Sequence, residues 1–452
     1  MSLPVTAHRS GSDAGLSSGP APTAHTKTFP TRSKLSFGDR KSQFATRLRG
    51  GWANPDLWRP LVIILGVSMT LAGIGLHLLV TRVMIWAHYN DFGKFYYSAA
   101  AAASGLPMYG PSPATSILIF KNVRMQFWNM NPPHFEALIL PLTWLPIGRA
   151  YAVWVVANFA AAIAALHGIS TALNKRPSLW WVIPMLFAAP TLTTTATGQM
   201  TGLLLGLVTW IWLDIRAERW TRAGVLIGVV CSLKPFLVPL ALYLLLRRKW
   251  RAAAASIATA VACFALGLLI FGLAAHVDWI DSLRGVTWAW VPMNGSIYAP
   301  LARLSARGDL IAKMPPTASG RLTIMGHMIA AAILLIGLYF CKRDSNEDRS
   351  ILIVLATCLL ASPLGWVYYV WILAAPAWTC WTDPVIRRAT LIAALGWLVP
   401  FFSLWHFNSL LFVLTVGSAY TWSLMVLWLG AITSSVTALQ RSGRMLDPSV
   451  RL

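Results

Sequence analysis

Hydrophobic runs of membrane-spanning length recur from about residue 59 almost to the end of the chain, separated by short polar segments. A spanning helix needs roughly 20 apolar residues, and the first run, 59–82, has that length. No small-residue cleavage site follows it, so we expect an uncleaved span. The pattern predicts roughly a dozen helical spans. They lie at 59–82, 150–172, 179–195, 199–214, 222–233, 235–246, 252–275, 321–341, 350–362, 364–381, 387–404 and 408–436.

The basic residues give these spans a direction. The positive-inside rule assigns short loops rich in lysine and arginine to the cytoplasm. Both chain ends then lie inside, and residues 83–149 form a long outer segment. The formal net charge of +22 therefore indicates membrane topology rather than a nucleic-acid partner. The basic clusters between apolar runs are Lys175-Arg176, Arg216–Arg222, Arg247–Arg251, Lys342–Arg349, Arg387-Arg388 and Arg441–Arg444.

The composition leaves little room for a soluble domain. Hydrophobic residues make up 56% of the chain and charged residues 12%, whereas soluble domains carry about 25% charged residues. Residues 1–58 are rich in Ser, Thr, Pro and Gly with scattered basic residues, which predicts a disordered cytoplasmic tail attracted to anionic lipid. Residues 59–437 then form one all-α transmembrane domain, and 438–452 form a second cytoplasmic tail.

Because every basic cluster is assigned to the cytoplasm, the number of crossings between clusters also predicts interrupted helices. Pro133–Pro146 is too short to cross the bilayer and is expected to be an interfacial or re-entrant helix on the outer side. Basic clusters flank Ala223–Leu246 at both ends, so we expect two short helices that meet at Lys234-Pro235, where proline stops the first helix. Ser362-Pro363 breaks a later stretch in the same way. Because broken helices at membrane depth line water-filled cavities, these breaks predict one polar site that faces outward.

Asp91 is the most prominent acid on the outer side. It follows the first span closely and begins an amphipathic segment that we expect to be an interfacial helix. Lys94 lies one turn further along the same face. Asp91 either caps this helix only or also acts as a positioned catalytic carboxylate, and the two roles are compatible. The other carboxylates assigned to the outer side are Glu136, Asp278, Asp281 and Asp309.

Lys234 is the second anomaly, because a lysine within an apolar span is costly and usually functional. At an outward cavity it would bind a phosphate. Alternatively, it pairs with a backbone carbonyl at the helix break. Gln199 and Asn294 are polar residues on the same side, although each taken alone also fits a loop. The topology places Arg149 on the outer side as a further phosphate candidate.

No metal or cofactor site is expected. The five cysteines lie in apolar segments without metal-ligand spacing, and His88, His134 and His276 are scattered along the outer side. The sequence has no phosphate-binding loop and no GxSxG nucleophile motif. ATP-driven transport therefore has no nucleotide site in this chain.

Several short segments carry a family resemblance when they are taken together in their order. They are Asn90–Tyr109, Asn131–Pro146, Gly198–Pro235 and Asn294–Tyr298, with a weaker fifth at Ser362–Trp366. In this order they resemble glycosyltransferase family 87 of the GT-C superfamily, the polyprenyl-phosphate-mannose-dependent mannosyltransferases. The resemblance implies a GT-C-like bundle of helices.

The resemblance also implies a reaction. Such enzymes take a hexose, usually mannose, from a polyprenyl-phosphate carrier on the outer face of the cell membrane. They transfer it, with inversion and without metal, to a hydroxyl of an envelope glycolipid or glycan. Asp91 matches the family's general base, and Lys234 would stabilise the leaving phosphate. Gln199 and Asn294 would shape the donor pocket. Lys94, Glu136 and His134 are further candidates for an acid partner or for the acceptor site.

One departure from the family stands out. The family often has a histidine pair after the late Ser-Pro, where this chain has Tyr368-Tyr369. Both tyrosines can donate hydrogen bonds to the donor phosphate, but neither carries a positive charge, so the phosphate would be held differently.

Two other classes stay open at this point. A transporter or lipid flippase shares the broken helices and the membrane lysine, although inverted repeats are expected in such proteins. A structural subunit of an envelope assembly would not need Asp91.

Overall fold

The computed structural model describes residues 91–110, 116–120, 123–126, 129–174, 188–284, 288–305, 320–399, 409–441 and 443. All of these residues belong to one compact unit. The predicted first span and N-terminal tail lie outside the described residues, as do 179–187 and 400–404 of two later predicted spans. Most of the predicted C-terminal tail also lies outside them.

The described chain is built almost entirely from helices. In chain order they are α1 (Asp91–Ala103), α2 (Pro133–Ile139), α3 (Ile147–Ala172), α4 (Ala189–Thr197), α5 (Thr201–Arg216), α6 (Trp220–Leu233), α7 (Val238–Leu246), α8 (Trp250–Arg284), α9 (Tyr298–Ser305), α10 (Gly320–Arg343), α11 (Glu347–Ala361), α12 (Ala374–Thr379), α13 (Pro384–Trp397), α14 (Leu410–Leu414) and α15 (Ala419–Arg441). Short 3₁₀ turns occupy Leu140–Trp144, Pro235–Leu237, Trp288–Trp290, Val367–Leu373, Cys380–Thr382 and Val416–Ser418.

Four stretches among the described residues are long and apolar enough to cross a membrane. They are Ile147–Ala172, Trp250–Arg284, Gly320–Arg343 and Leu410–Arg441. Large apolar side chains on these helices point away from the protein, such as Leu269, which is 84% exposed. Lipid-facing helices expose such side chains, so the predicted helical membrane class is confirmed. The number of about a dozen spans stays a prediction.

The predicted helix breaks are present. Helix α6 ends at Leu233, and α7 begins only after the 3₁₀ turn Pro235–Leu237. Helix α11 ends at Ala361, directly before Ser362-Pro363. The predicted short helix at Pro133–Pro146 is α2 followed by the 3₁₀ turn Leu140–Trp144. A proline ends the helix in the first two cases, and the short apolar stretch limits the helix length in the third.

The predicted span at 364–381 is not a single regular α-helix. This segment consists of the 3₁₀ turn Val367–Leu373, helix α12 and the 3₁₀ turn Cys380–Thr382. Its start pairs instead with the chain before α9, because Gly295 N donates to Gly365 O at 2.7 Å and Val367 N donates to Met293 O at 2.8 Å. These bonds are incompatible with a regular α-helix through the same residues.

Two further elements differ from the prediction. A short antiparallel hairpin, β1 (Ser116–Phe120) paired with β2 (Val123–Gln126), lies between α1 and α2. Its first strand is rich in isoleucine and other residues that favour extended structure. Helix α8 is longer than the predicted span 252–275 and continues to Arg284 across a kink at Gly272, where φ is 76°.

The interior is organised around α11 and a close helix pair. Every residue from Arg349 to Leu360 is buried, so α11 is surrounded by protein and its end at Ala361 is held in place. Helices α6 and α8 run side by side, and a Cβ atom added at Gly224 would lie 2.2 Å from the carbonyl oxygen of Ala252. Such contacts are typical of helices that pack in a membrane through small residues.

Candidate active site

The helix breaks meet around a cavity of about 720 Å³. Its wall includes Asp91 at the start of α1, Lys234 at the end of α6, and Ser362-Pro363 after α11. The structure therefore brings the three features that the sequence singled out into one space.

Both carboxylate oxygens of Asp91 are engaged. The Nζ atom of Lys94 lies 2.6 Å from Oδ1, and Gln199 donates a hydrogen bond from Nε2 to Oδ2 at 2.6 Å. Lys94 also lies over the ring of Trp288, 4.5 Å from its centroid. The Asp91 side chain is 18% exposed, so it reaches the cavity while these contacts fix its orientation.

A tight backbone contact brings Gln199 to Asp91. Helix α4 ends at Gly198 in the left-handed conformation, with φ at 71°, and the Nε1 atom of Trp154 donates to the Gly198 carbonyl at 2.7 Å. A Cβ atom at Gly198 would lie 2.6 Å from Cβ of Phe92, the residue after Asp91. Only glycine fits both the conformation and the contact. The turn thus fixes the next side chain, Gln199, against the carboxylate.

Lys234 occupies the position where α6 gives way to Pro235. Its Nζ atom donates to Oδ1 of Asn131 at 2.7 Å and lies 5.8 Å and 5.6 Å from the ring centroids of Phe135 and Tyr369. Lys234 therefore pairs with an asparagine side chain and not with a backbone carbonyl, which was the alternative from the sequence. An ammonium has three N–H donors. Among the described residues Lys234 donates only to Asn131, so two donors are available to a ligand.

A buried network supports the partner of Lys234. Asn129 accepts from both the backbone N and Nδ2 of Asn131 at 2.9 Å, and donates from its own Nδ2 to Glu136 at 2.6 Å. The Tyr109 hydroxyl donates to the Asn131 carbonyl at 2.7 Å. Glu136 is fully buried, and burial raises its pKa well above the usual range, against the opposing effects of Asn129 and Lys234. Glu136 therefore lies behind the cavity wall, where burial favours its neutral form.

Three other predicted residues lie away from the cavity. His134 is buried, burial lowers its pKa, and its Nε2 contacts the Ser232 carbonyl at 3.2 Å. Since a carbonyl only accepts, that nitrogen carries the proton. Arg149 is exposed near the start of α3. Asn294 is fully buried, and its amide donates to the carbonyls of Ala289 and Pro363 while its Oδ1 accepts from Ser296 N. Asn294 therefore holds the break at Pro363 from behind.

The two tyrosines of the late break both reach the cavity. Tyr368 and Tyr369 are each 2% exposed and contribute to its wall. Their rings pack edge to face with centroids 4.7 Å apart, and Tyr369 stacks on Phe236 at 5.2 Å. Their positions are thus fixed by aromatic packing as well as by the backbone.

The cavity is lined by both polar and apolar side chains. Helices α7, α8 and α10 contribute apolar and aromatic residues to it, namely Val238, Pro239, Leu242, Trp279, Leu283 and Leu334. The polar lining residues are Asp91, Lys94, Asn131, Gln199, Lys234, Ser362, Tyr368 and Tyr369. This mixed lining suits an amphiphile that has an anionic head group and a hydrocarbon chain. Among the described residues, no group of three or more His, Cys, Asp or Glu side chains could hold a metal ion.

Sequence reasoning missed two residues of the wall. Asn131 pairs with Lys234 from 103 residues away, a distance at which spacing carries no information. Its place at the start of Asn131–Pro146, one of the segments that carry the family resemblance, was the available signal. Trp279 reaches the cavity from the unpredicted extension of α8 and donates to the Met130 carbonyl at 3.0 Å.

Comparison with known proteins places these features in a family. The sequence model described as Glycosyltransferase family 87 matches residues 129–363, just over half of the chain. No solved structure matches. The chain is 26% identical over 275 residues to the polyprenol-phosphate-mannose-dependent alpha-(1-2)-phosphatidylinositol pentamannoside mannosyltransferase of Mycobacterium tuberculosis (strain CDC 1551 / Oshkosh), covering 59% of this chain and 62% of that protein.

Two further relatives are similar to parts of the chain. The protein of the same description from Mycolicibacterium smegmatis is 25% identical over 277 residues, covering 59% of this chain and 64% of its own length. The alpha-(1->3)-arabinofuranosyltransferase of Mycobacterium tuberculosis (strain ATCC 25618 / H37Rv) is 34% identical over 140 residues, or 29% of this chain and 32% of that protein. The chain thus spans less than two thirds of the length of each of these three relatives. The family match confirms the resemblance read from the sequence, and the chain belongs to glycosyltransferase family 87.

Proposed function

We propose that this protein is a membrane glycosyltransferase that moves a hexose from a polyprenyl-phosphate carrier to a hydroxyl of an envelope glycolipid or glycan. The observation that carries the proposal is the shared cavity, which a carboxylate and an ammonium group line together with apolar side chains of α7, α8 and α10. Mannose is the first candidate sugar, because two relatives are described as polyprenol-phosphate-mannose-dependent mannosyltransferases. Another relative is described as an arabinofuranosyltransferase, so a pentofuranose is the competing donor.

In the proposed reaction Asp91 is the general base. Its carboxylate removes the proton of the acceptor hydroxyl while that oxygen attacks the anomeric carbon. The bond from the anomeric carbon to the phosphate oxygen breaks, and the phosphate leaves with the electron pair. Attack from the side opposite the phosphate inverts the anomeric centre. Because a phosphate is already a good leaving group, no general acid is required.

Lys234 is the proposed binding group for the phosphate. Among the described residues Lys234 donates only to Asn131, so two of its N–H donors are available to the phosphate. Its charge would offset the charge that develops on the leaving phosphate. Apolar lining residues follow Lys234 in the chain, from Pro235 and Phe236 to Val238 and Pro239 at the start of α7. A phosphate at Lys234 would therefore have its polyprenyl chain in contact with α7, α8 and α10.

The positions of the basic loops support an active site on the outer face of the cell membrane. Helix α6 begins beside Arg219 and Arg222 and ends at the cavity, and α8 begins beside Arg248 and Lys249 and reaches the cavity through Trp279. The cavity and these loops lie at opposite ends of the same helices. With the loops in the cytoplasm, as the positive-inside rule assigns them, the cavity faces outward and both chain ends stay inside.

A transfer assay tests the proposal. Purified protein, radiolabelled polyprenyl-phosphate mannose and extracted membrane lipids are incubated with a chelator and without nucleotide. We expect label to appear in a glycolipid or glycan as free polyprenyl phosphate is released. Polyprenyl-phosphate arabinose is tested in parallel to identify the sugar, and a nucleotide sugar should give no transfer.

Two results would contradict the proposal. One is the absence of transfer from every polyprenyl-phosphate sugar. The other is movement of intact donor across a vesicle membrane without cleavage of the sugar–phosphate bond, which is the activity of a flippase. A flippase also needs an amphipathic cavity, but it has no use for a carboxylate held by Lys94 and Gln199.

A further inference from the structure

The two tyrosines that replace the family's histidine pair differ in what their hydroxyl groups do. The Tyr369 hydroxyl donates to Oε1 of Gln199 at 2.9 Å, and Gln199 donates in turn to Asp91 at 2.6 Å. The Tyr368 hydroxyl has no hydrogen-bond partner among the described residues, although its side chain is 2% exposed and lines the cavity. Two neighbouring side chains of the same type thus have different contacts.

The direction of these hydrogen bonds is fixed by chemistry. An ionised carboxylate only accepts hydrogen bonds, so the amide of Gln199 must present its nitrogen to Asp91. The amide oxygen then faces Tyr369, and that oxygen also only accepts. The Tyr369 hydroxyl must therefore donate, and a phenol has one proton to give. Tyr369 has no proton left for a phosphate, whereas Tyr368 does.

The chain from Tyr369 to Asp91 is held rigidly at both ends. The Tyr369 ring stacks on Phe236 and packs edge to face against Tyr368. The backbone before Gln199 is fixed by the turn at Gly198, whose Cβ position is blocked by Phe92. Such supports keep a hydrogen-bonded side chain at one orientation, which proton abstraction requires.

We propose that Tyr369 and Gln199 are positioning residues that orient Asp91, and that of the two tyrosines only Tyr368 donates, beside Lys234, to the phosphate of the sugar donor. This inference rests on the proposed function, and it divides the tyrosine pair, both members of which the sequence assigned to the donor. The Tyr369 hydroxyl keeps the Gln199 amide from rotating its oxygen toward Asp91, where it would repel the carboxylate. The carboxylate, with one contact at each oxygen, then keeps a lone pair in a fixed direction for the acceptor hydroxyl.

Other charged groups also face Asp91. Lys94 pairs with it from the same helix, and Lys234 interacts with it electrostatically from the end of α6. Tyr368 and Tyr369, in the turn after Ser362-Pro363, also interact electrostatically with Asp91. Because Lys94 and Lys234 remain in every variant below, a change in pH dependence reports the loss of the neutral hydrogen bonds.

The test compares Tyr369→Phe with Tyr368→Phe, which remove one hydroxyl each from adjacent rings. The loss of a single hydrogen bond can change a rate or an affinity by up to about tenfold. We expect Tyr369→Phe to lower kcat about tenfold, to shift the acidic limb of the profile of kcat/KM against pH upward, and to leave the donor KM within about twofold. Tyr368→Phe should instead raise the donor KM about tenfold and leave the position of the acidic limb unchanged.

A double-mutant cycle shows whether Tyr369 acts through Gln199. Gln199→Met keeps the length of the side chain and removes both hydrogen bonds. In that background we expect Tyr369→Phe to change kcat by less than about twofold, because its target is already lost. Unchanged binding of polyprenyl phosphate by Tyr369→Phe and Gln199→Met establishes that the cavity is folded in these variants, and an unchanged melting temperature does so for Tyr368→Phe.

Two outcomes would overturn the inference. One is a raised donor KM for Tyr369→Phe with an unchanged pH profile, and the other is full additivity in the cycle. Failure of the proposed function is distinguishable, because the wild-type protein would then transfer no sugar. If the wild type transfers sugar and Tyr369→Phe behaves like Tyr368→Phe, only the division of the tyrosines fails.

Discussion

Asp91 and Lys234, the two charged groups of the cavity on which the proposed reaction depends, are each held by an amide side chain. Asp91 has Gln199, and Lys234 has Asn131, which is supported in turn by Asn129 and Glu136. Amides can meet a charge without neutralising it, so the carboxylate can still accept a proton and the ammonium can still bind an anion. Lys94 is the exception, since it forms an ion pair with Asp91.

The buried carboxyl of Glu136 should make the stability of the protein depend on pH. Burial raises its pKa well above the usual range, so the folded state keeps the proton that the unfolded chain loses above about pH 4.3. The stability that this provides is fully present below the pKa of the unfolded state and is lost as pH rises through the folded pKa. Glu136→Gln keeps an acceptor for Asn129 and does not ionise. We therefore expect the melting temperature of this variant, relative to the wild type, to increase from pH 4.5 to pH 8.

The matched control for that prediction is Asp278→Asn, which changes an exposed acid on α8. Its melting temperature relative to the wild type should stay constant over the same pH range. A difference for Glu136→Gln that stays flat, or that falls with rising pH, would show that Glu136 is charged in the folded protein.

What could be predicted at the residue scale depended on sequence distance. The contact of Asp91 with Lys94 lies within one helical turn, and the sequence indicated it. The contacts of Asp91 with Gln199 and of Lys234 with Asn131 join residues 108 and 103 positions apart. Asn294 was predicted in the pocket but lies behind it, because its polarity was visible in the sequence and its backbone partners were not.

The helices position the cavity through close packing, and α6 is the critical element because it carries Lys234 at its end. It lies against α8 at Gly224, where the carbonyl of Ala252 occupies the space that a side chain would need. The ends of both helices reach the cavity. A change in the spacing of α6 and α8 should therefore change how tightly a ligand binds in the cavity.

Gly224→Ala tests this element. The added methyl would lie 2.2 Å from the Ala252 oxygen, so the helices must separate. Overpacking of this kind costs typically about 1–3 kcal/mol. We expect a lower melting temperature in detergent together with weaker binding of polyprenyl phosphate. Gly148→Ala, at a helical glycine with open space around it, should change neither quantity. Normal stability and binding in Gly224→Ala would contradict the role of this contact.

Local signals predicted the elements well where the decisive feature was local. Proline fixed the break after α6, and length fixed the short helix at Pro133–Pro146. The irregular start of the predicted span 364–381 was missed because its first residues pair with Met293 and Gly295, a contact that hydropathy does not report. The extension of α8 to Trp279 was missed because its last turns are less apolar than a span.

At the scale of the whole molecule, composition and charge predicted the membrane class and a polar site at the ends of broken helices. Both follow from the bilayer acting as solvent, since an apolar chain must span it and a broken helix must line a cavity. The combination of polar and apolar side chains in one cavity could not be predicted, because it depends on which helices come together. The family match adds the reaction class that this geometry fits.

The most direct test of the account is the turnover of Asp91→Asn. The amide keeps the size of the side chain but is a far weaker base, so proton abstraction from the acceptor hydroxyl should fail. In the transfer assay with a polyprenyl-phosphate sugar, we expect kcat to fall at least about 100-fold while the affinity for the donor stays within about threefold. Asp278→Asn serves as the control and should transfer sugar at the wild-type rate. Wild-type turnover by Asp91→Asn would show that Asp91 is not the base and would contradict the account.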